Sequence, residues 1–212
     1  MIDVIIADDH PLMRDALQAC LEDEADIRVI AEVFNGRDAV QAATSSDVDV
    51  IILDLYLPDM DGIQVLKEIL KVKPAAAVLI FTSSMDEERI TQALESGAMG
   101  YLIKDSPPAE IVQAIREVGQ GRSFLSATAA GKLATALRQR PSTREGERIE
   151  LLTSREEDIL ALIRAGASNL DIAQSLHIGE TTVRTHIAHI LRKMGLKNRS
   201  QLLMALLQQK NR

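Results

Sequence analysis

Five short apolar runs, each followed by an amphipathic stretch, decide most of what this chain can fold into. They are Val4–Ala7, Val29–Phe34, Val50–Leu53, Val78–Phe81 and Tyr101–Ile103. Near-continuous apolar runs of this length are expected of strands buried on both faces, the environment of a parallel sheet. Helical spacing of apolar residues fills 12–22, 36–44, 62–71, 87–96 and 108–118. Five such βα units call for a sheet covered by helices on both sides, and right-handed crossovers favour double winding. The expected class is α/β: a five-stranded parallel, doubly wound (flavodoxin-like) domain followed by a smaller all-α helix-turn-helix domain.

What the strand ends carry points to chemistry. Asp8 and Asp9 end the first run, Asp54 the third, Thr82 the fourth and Lys104 the fifth. Parallel strands end together, so these five side chains should converge on the carboxyl rim, where open α/β sheets bind ligands. A single Asp at a strand end is commonly a turn or cap residue. Placement at four strand ends at once is harder to explain that way. Three carboxylates repel unless a cation sits among them, and hard oxygen ligands suit Mg²⁺. Backbone carbonyls can complete such a shell, and Tyr56 follows Asp54 closely. A carboxylate beside the cation can accept a phosphoryl group, with the Lys ammonium and Thr hydroxyl offsetting its charge. Covalent phosphorylation makes the site more negative, which suggests a switch. His10, beside the acids and before a Pro, reads as loop structure.

Composition bounds the rest. The chain has 212 residues, 46% of them hydrophobic, with three Phe, two Tyr and no Trp, so its cores are aliphatic. Two domains are comfortable at this length. The single Cys20 excludes an internal disulfide. No apolar stretch approaches the roughly 18 residues of a membrane span, and no basic segment precedes the first run, so a cytoplasmic protein without membrane contact is expected. Residues 1–121 hold 23 acids against 9 bases, whereas residues 176–212 hold 7 bases against Glu180 alone. An acidic body with a basic end fits a nucleic-acid-binding tail. The stretch RPSTREGER (Arg140–Arg148) carries Pro and Gly without apolar periodicity and reads as linker. The expected division is 1–121, a partly helical linker at 122–148, and a DNA-binding domain at 149–212.

The strings VIIADDHPLMR, IILDLYLPDMDG, FTSS and GAMGYLIKD together resemble the receiver domain of two-component response regulators. The resemblance implies Asp54 as phosphoacceptor, supplied by a sensor histidine kinase or a small phosphodonor. It also implies Asp9 as direct and Asp8 as water-mediated Mg²⁺ ligand, with the Tyr56 carbonyl completing the set. Thr82 and Lys104 would coordinate the phosphoryl group, Tyr101 would be the switch aromatic, and Gly62 would serve the tight turn. Asp-nucleophile phosphohydrolases share the strand-end Asp but resemble a pattern with a second Asp two residues on. Here that position is Tyr56, which disfavours an enzyme.

The tail carries a second signature. Thr153 and Glu156 form a capping-box pattern, Gly166 stops that helix, and Ser168 can cap another to about Leu176. A tight His177–Gly179 turn leads into ETTVRTHIAHILRKM, a helix whose apolar stripe is Val183, Ile187, Ile190, Leu191 and Met194. Arg184, Thr185, Ala188, His189 and Arg192 fall largely away from that stripe, in a basic region, as a major-groove helix requires. Lys193, Lys197 and Arg199 are placed to contact phosphate. His186 and His189 lack a nearby carboxylate or Cys, which argues against a metal site. From LTSREEDIL to NRSQLL the segment resembles the LuxR-type helix-turn-helix, and the whole chain is similar to the NarL/FixJ family of response regulators. That resemblance implies Thr182–Met194 as recognition helix and Arg184, Thr185 and Ala188 as base-facing. Leu170 stands where the family often has Lys, Ala188 where relatives can carry Lys, and Gly179 where Ser or Thr usually caps. The last helix offers Leu202, Leu203, Leu206 and Leu207 either to its own domain or to a homodimer on double-stranded DNA. The expected function is a DNA-binding transcription regulator, not an enzyme, switched by phosphorylation of Asp54. The alternative is a phosphorylation-independent DNA binder with a docking receiver.

Overall fold

A computed structural model describes residues 1–139, 152–196 and 199–209. The first half runs β1 (Ile2–Ala7), α1 (Pro11–Glu22), β2 (Ile27–Val33), α2 (Gly36–Ser45), β3 (Val50–Leu53), α3 (Gly62–Val72), β4 (Ala77–Thr82), α4 (Glu87–Ser96), β5 (Gly100–Ile103) and α5 (Pro108–Gly119). β6 (Phe124–Leu125) and α6 (Ala127–Gln139) follow. The strands make one parallel sheet in the order β2-β1-β3-β4-β5-β6. The order reverses at β1, so the rim around β1 and β3 is the topological switch point where a crevice opens.

Strand alternation splits the apolar residues between two cores. Ile5, Ile51, Val78 and Ile80 face α2, α3 and α4, joining Ala39, Val65, Leu66, Ile69, Ile90 and Leu94. Val4, Ile6, Ile52, Leu79 and Phe81 face α1 and α5, joining Leu17, Leu21, Ile111, Ile115 and Val118. Each side chain of this kind contributes about 1.5–3 kcal/mol when fully buried. Both faces of the sheet are therefore sealed, and polar chemistry is left to its rim.

The sheet has six strands where five are expected. Phe124 and Leu125 pair with Gly100 and Tyr101, and a two-residue strand is too short to show periodicity. Behind it α6 lays Ala129 and Leu133 into the core of α4, both almost fully buried. Part of the stretch expected as linker thus extends the α/β unit. The expected linker RPSTREGER lies outside the described residues.

The second half is helical: α7 (Ser154–Arg164), α8 (Asn169–Leu176), α9 (Glu180–Lys193) and α10 (Arg199–Gln209). Capping boxes at Thr153 with Glu156 and at Ser168 with Asp171 fix the starts of α7 and α8. His177, with φ of 55°, supplies the left-handed turn between α8 and α9. Ile159, Ile163, Ile172, Val183, Ile190 and Leu202 form the core of this unit. The two halves touch: Gln201 Nε2 donates to the Glu95 carbonyl at 2.7 Å, and Arg122 Nη1 lies 3.7 Å from Asp171 Oδ2. No helix among the described residues is long and apolar enough to cross a membrane.

Candidate functional site

Backbone bonds that extend the strands aim the rim residues. Asp54 N donates to Ala7 O at 2.9 Å, and Lys104 N to Thr82 O at 3.0 Å. The register pairs Ala7 with Leu53 and Thr82 with Ile103, so the residues just beyond are neighbours. Asp8 and Asp54 are 1% and 2% exposed. Lys104 Nζ bridges them, 2.7 Å from Asp8 Oδ2 and 2.8 Å from Asp54 Oδ2. Burial alone would lower the Lys104 pKa, but its bonds to Asp54 and Asp8 outweigh that and raise it above the ordinary lysine value.

Asp8, Asp9, His10 and Asp54 each offer a ligand atom, all within 4.8 Å of one another. Asp54 Oδ1 is buried without a hydrogen-bond partner. A lone buried carboxylate oxygen is costly, and a cation among hard oxygen donors would satisfy it. The residues present therefore fit Mg²⁺. His10 lies in the loop between β1 and α1, as the sequence reading expects, and its ring folds back onto the acids. Its Nδ1 lies 2.7 Å from Asp9 Oδ1 and 3.2 Å from Asp8 Oδ1, and its amide donates to Asp8 Oδ1 at 2.9 Å. Adjacency to the acids was the one available signal; the turn that folds the ring back is invisible in sequence.

Thr82 and Tyr101, both fully buried, converge on Ser84. The Tyr101 hydroxyl donates to Ser84 O at 2.9 Å, and Ser84 N donates to Thr82 Oγ1 at 3.4 Å. Burial pushes the Tyr101 phenol well above its ordinary pKa, so it stays a neutral donor. Ser84 leads into α4, which places this pair between pocket and helix. Tyr56, by contrast, is half exposed, with Arg89 5.8 Å above its ring. Gly62 starts α3 under the Asp61 cap, its amide 2.9 Å from Leu55 O.

The second cluster of expected residues lies on α9. Val183, Ile187 and Ile190 are buried, while Arg184, Thr185, Ala188, His189 and Arg192 are exposed on one face. Arg184 Nη2 meets Glu180 Oε1 at 2.8 Å one turn back. Two residues expected at phosphate face inward instead. Lys193 Nζ pairs with the buried Glu156 at 2.7 Å and ties α9 to α7. Its ammonium, with the Thr153 amide, pulls the Glu156 carboxyl down to about 2. Arg199, 7% exposed, donates to Ala167 O at 2.7 Å and Asn169 Oδ1 at 3.2 Å, and burial lowers its pKa to about 10. A basic residue one turn off the exposed face looks the same in sequence, and its carboxylate or carbonyl partner is 30 or more positions away. Lys197 lies outside the described residues.

Residues 4–116 match the response regulator receiver domain, and residues 150–206 match bacterial regulatory proteins of the luxR family. The nitrate/nitrite response regulator protein NarL of Escherichia coli (strain K12) is 37% identical over 196 residues, 92% of this chain and 90% of NarL. The transcriptional regulatory protein LiaR of Bacillus subtilis (strain 168) is 39% identical over 204 residues, 95% of this chain and 94% of LiaR. The crystal structure of the response regulator ChrA in a heme-sensing two-component system is 34% identical, with a TM-score of 0.54 over 99% of this chain and 98% of ChrA.

Proposed function

Since the chain belongs to the NarL/FixJ family of two-component response regulators, we propose that phosphorylation of Asp54 sets how strongly its α9 holds DNA. The family pairs a receiver with a LuxR-type DNA-binding domain and regulates transcription; its members are not classical enzymes. The observation that carries the proposal is a buried Asp54 with one oxygen on Lys104 and the other without a partner, at the sheet's switch point.

In the proposed reaction a carboxylate oxygen of Asp54 attacks the phosphorus of a kinase phosphohistidine or of acetyl phosphate. The bond from phosphorus to the donor nitrogen or oxygen breaks, and the donor leaves with the electron pair. Mg²⁺, held by Asp8, Asp9, Asp54 and the Tyr56 carbonyl, would neutralise charge on the transferring group. Lys104, already on Asp54, stays with the phosphoryl oxygens as the counter-charge. Thr82 turns its hydroxyl from the Ser84 amide to a phosphoryl oxygen. Tyr101 then follows through Ser84, and the start of α4 moves with them. α4 packs on α6 and, through Glu95, contacts α10, which gives this helix a direct route to the DNA-binding half.

On the DNA side Arg184, Thr185, Ala188 and His189 face bases, Arg192 faces phosphate, and a homodimer reads two half-sites. Lys193 and Arg199 hold the fold that presents them. The test is operator affinity before and after acetyl phosphate with Mg²⁺, in the unaltered chain and in Asp54→Ala. Tightening in the first and none in the second is expected. An equal response in Asp54→Ala rejects phosphorylation at this residue.

A further inference from the structure

The exposed face of α9 presents Thr182, Arg184, Thr185, Ala188, His189 and Arg192, and every one but Ala188 carries a polar group. Ala188 sits in the middle of that face, with Arg184 one turn before it and Arg192 one turn after. Residues four apart along a helix are separated by about 6 Å of rise, and side chains three to four positions apart on a groove-bound helix reach successive bases. Arg184 and Ala188 therefore meet bases about one step apart. The Arg184 guanidinium is exposed and held by an ion pair one turn back. Such exposed pairs contribute little, so the guanidinium can be released at small cost. It then matches the paired O6 and N7 acceptors of guanine.

What a methyl can read is narrower. In the major groove every base offers a hydrogen-bond donor or acceptor, but thymine alone adds a methyl group there. A side chain with no polar atom, at the centre of the contact face, discriminates only through that group. We propose that Ala188 reads a thymine methyl and Arg184 a guanine about one base step away, together setting the core of the half-site. This rests on α9 being the DNA-reading helix. It also accounts for the small residue: a long side chain at 188 would hold the helix off the base edges.

The experiment uses the full chain treated with acetyl phosphate and Mg²⁺, with duplexes selected from a random pool. Each thymine of the selected site is then replaced by deoxyuridine, which removes only the methyl, and each guanine by 7-deazaguanine, which removes only N7. One thymine per half-site should lose about fourfold in affinity, from a methyl contribution near 0.8 kcal/mol. One guanine about one step away should lose about tenfold. Ala188→Gly should erase the deoxyuridine effect and keep the guanine effect, read as a ratio that is unaffected by any general loss of helix stability. If selected sites bind tightly and no thymine shows methyl sensitivity, the inference fails while DNA binding stands. If the pool yields no preferred site at all, the reading of α9 fails with it.

Discussion

Gly62 tests the architecture of the pocket without touching a charged group. A methyl placed there would stand 2.3 Å from the Asp54 carbonyl oxygen and 2.5 Å from Leu55 Cα, both backbone atoms. Side-chain carbons essentially never come within 3.0 Å, so in Gly62→Ala the Asp54 backbone and the start of α3 must separate by about 0.7 Å, the gap between 2.3 and 3.0 Å. Overpacking of this kind costs about 1–3 kcal/mol. The better helix propensity of Ala returns up to about 1 kcal/mol, which leaves a net loss near 1–2 kcal/mol and a melting point lower by roughly 3–8 °C. The functional effect should be larger, because a reacting group displaced by about 1 Å can lose on the order of 100-fold in rate. Phosphorylation by acetyl phosphate, followed by intact-protein mass spectrometry, should slow by about 10- to 100-fold, and circular dichroism should report the melting shift. A variant melting within 1 °C of the parent and labelling within about twofold of its rate would refute the close approach of α3 to the phosphoacceptor strand.

Three further perturbations follow from the same contacts. Lys104→Met removes the cation bridging Asp8 and Asp54, so calorimetry should find Mg²⁺ binding tightened on the order of tenfold while phosphorylation slows; unchanged Mg²⁺ affinity would argue against the bridge. Glu156 is held down to about 2 from the ordinary 4.5 by Lys193 and then Thr153. A depressed carboxyl stabilises the fold above its unfolded value, so that stability should vanish as pH falls from about 4.5 toward about 2, with Glu156→Gln flattening the dependence. A parallel pH profile in Glu156→Gln would reject the pair. Arg192→Ala should reduce the slope of log affinity against log salt by about 0.9, whereas Lys193→Met should leave that slope alone and lower the melting point; a reduced slope in Lys193→Met would return that residue to the DNA.

The βα alternation was legible because a sheet buried on both faces needs uninterrupted apolar runs, and their polar ends then fall on one rim by topology alone. Asp8, Asp9, Asp54 and Lys104 accordingly come together as their positions require. The exposed face of α9 was equally readable, since 3.6-residue spacing separates Val183, Ile187 and Ile190 from Arg184 and Ala188. Long-range pairing was not. Lys193 finds Glu156 and Arg199 finds Ala167 only after three helices have packed, and no local pattern announces either. β6 escaped for a different reason, since two residues carry no period.

The sixth strand and the helix behind it also fix where this protein can be cut. Severing the chain after Gly121 would strip the β5 edge of its partner and uncover the apolar side of Ile90 and Leu94, against which Ala129 and Leu133 now rest. A bare strand edge beside fresh oily surface is an invitation to aggregate. An isolated phosphoacceptor fragment should stay monodisperse only when its terminus is moved out to Gln139 or beyond.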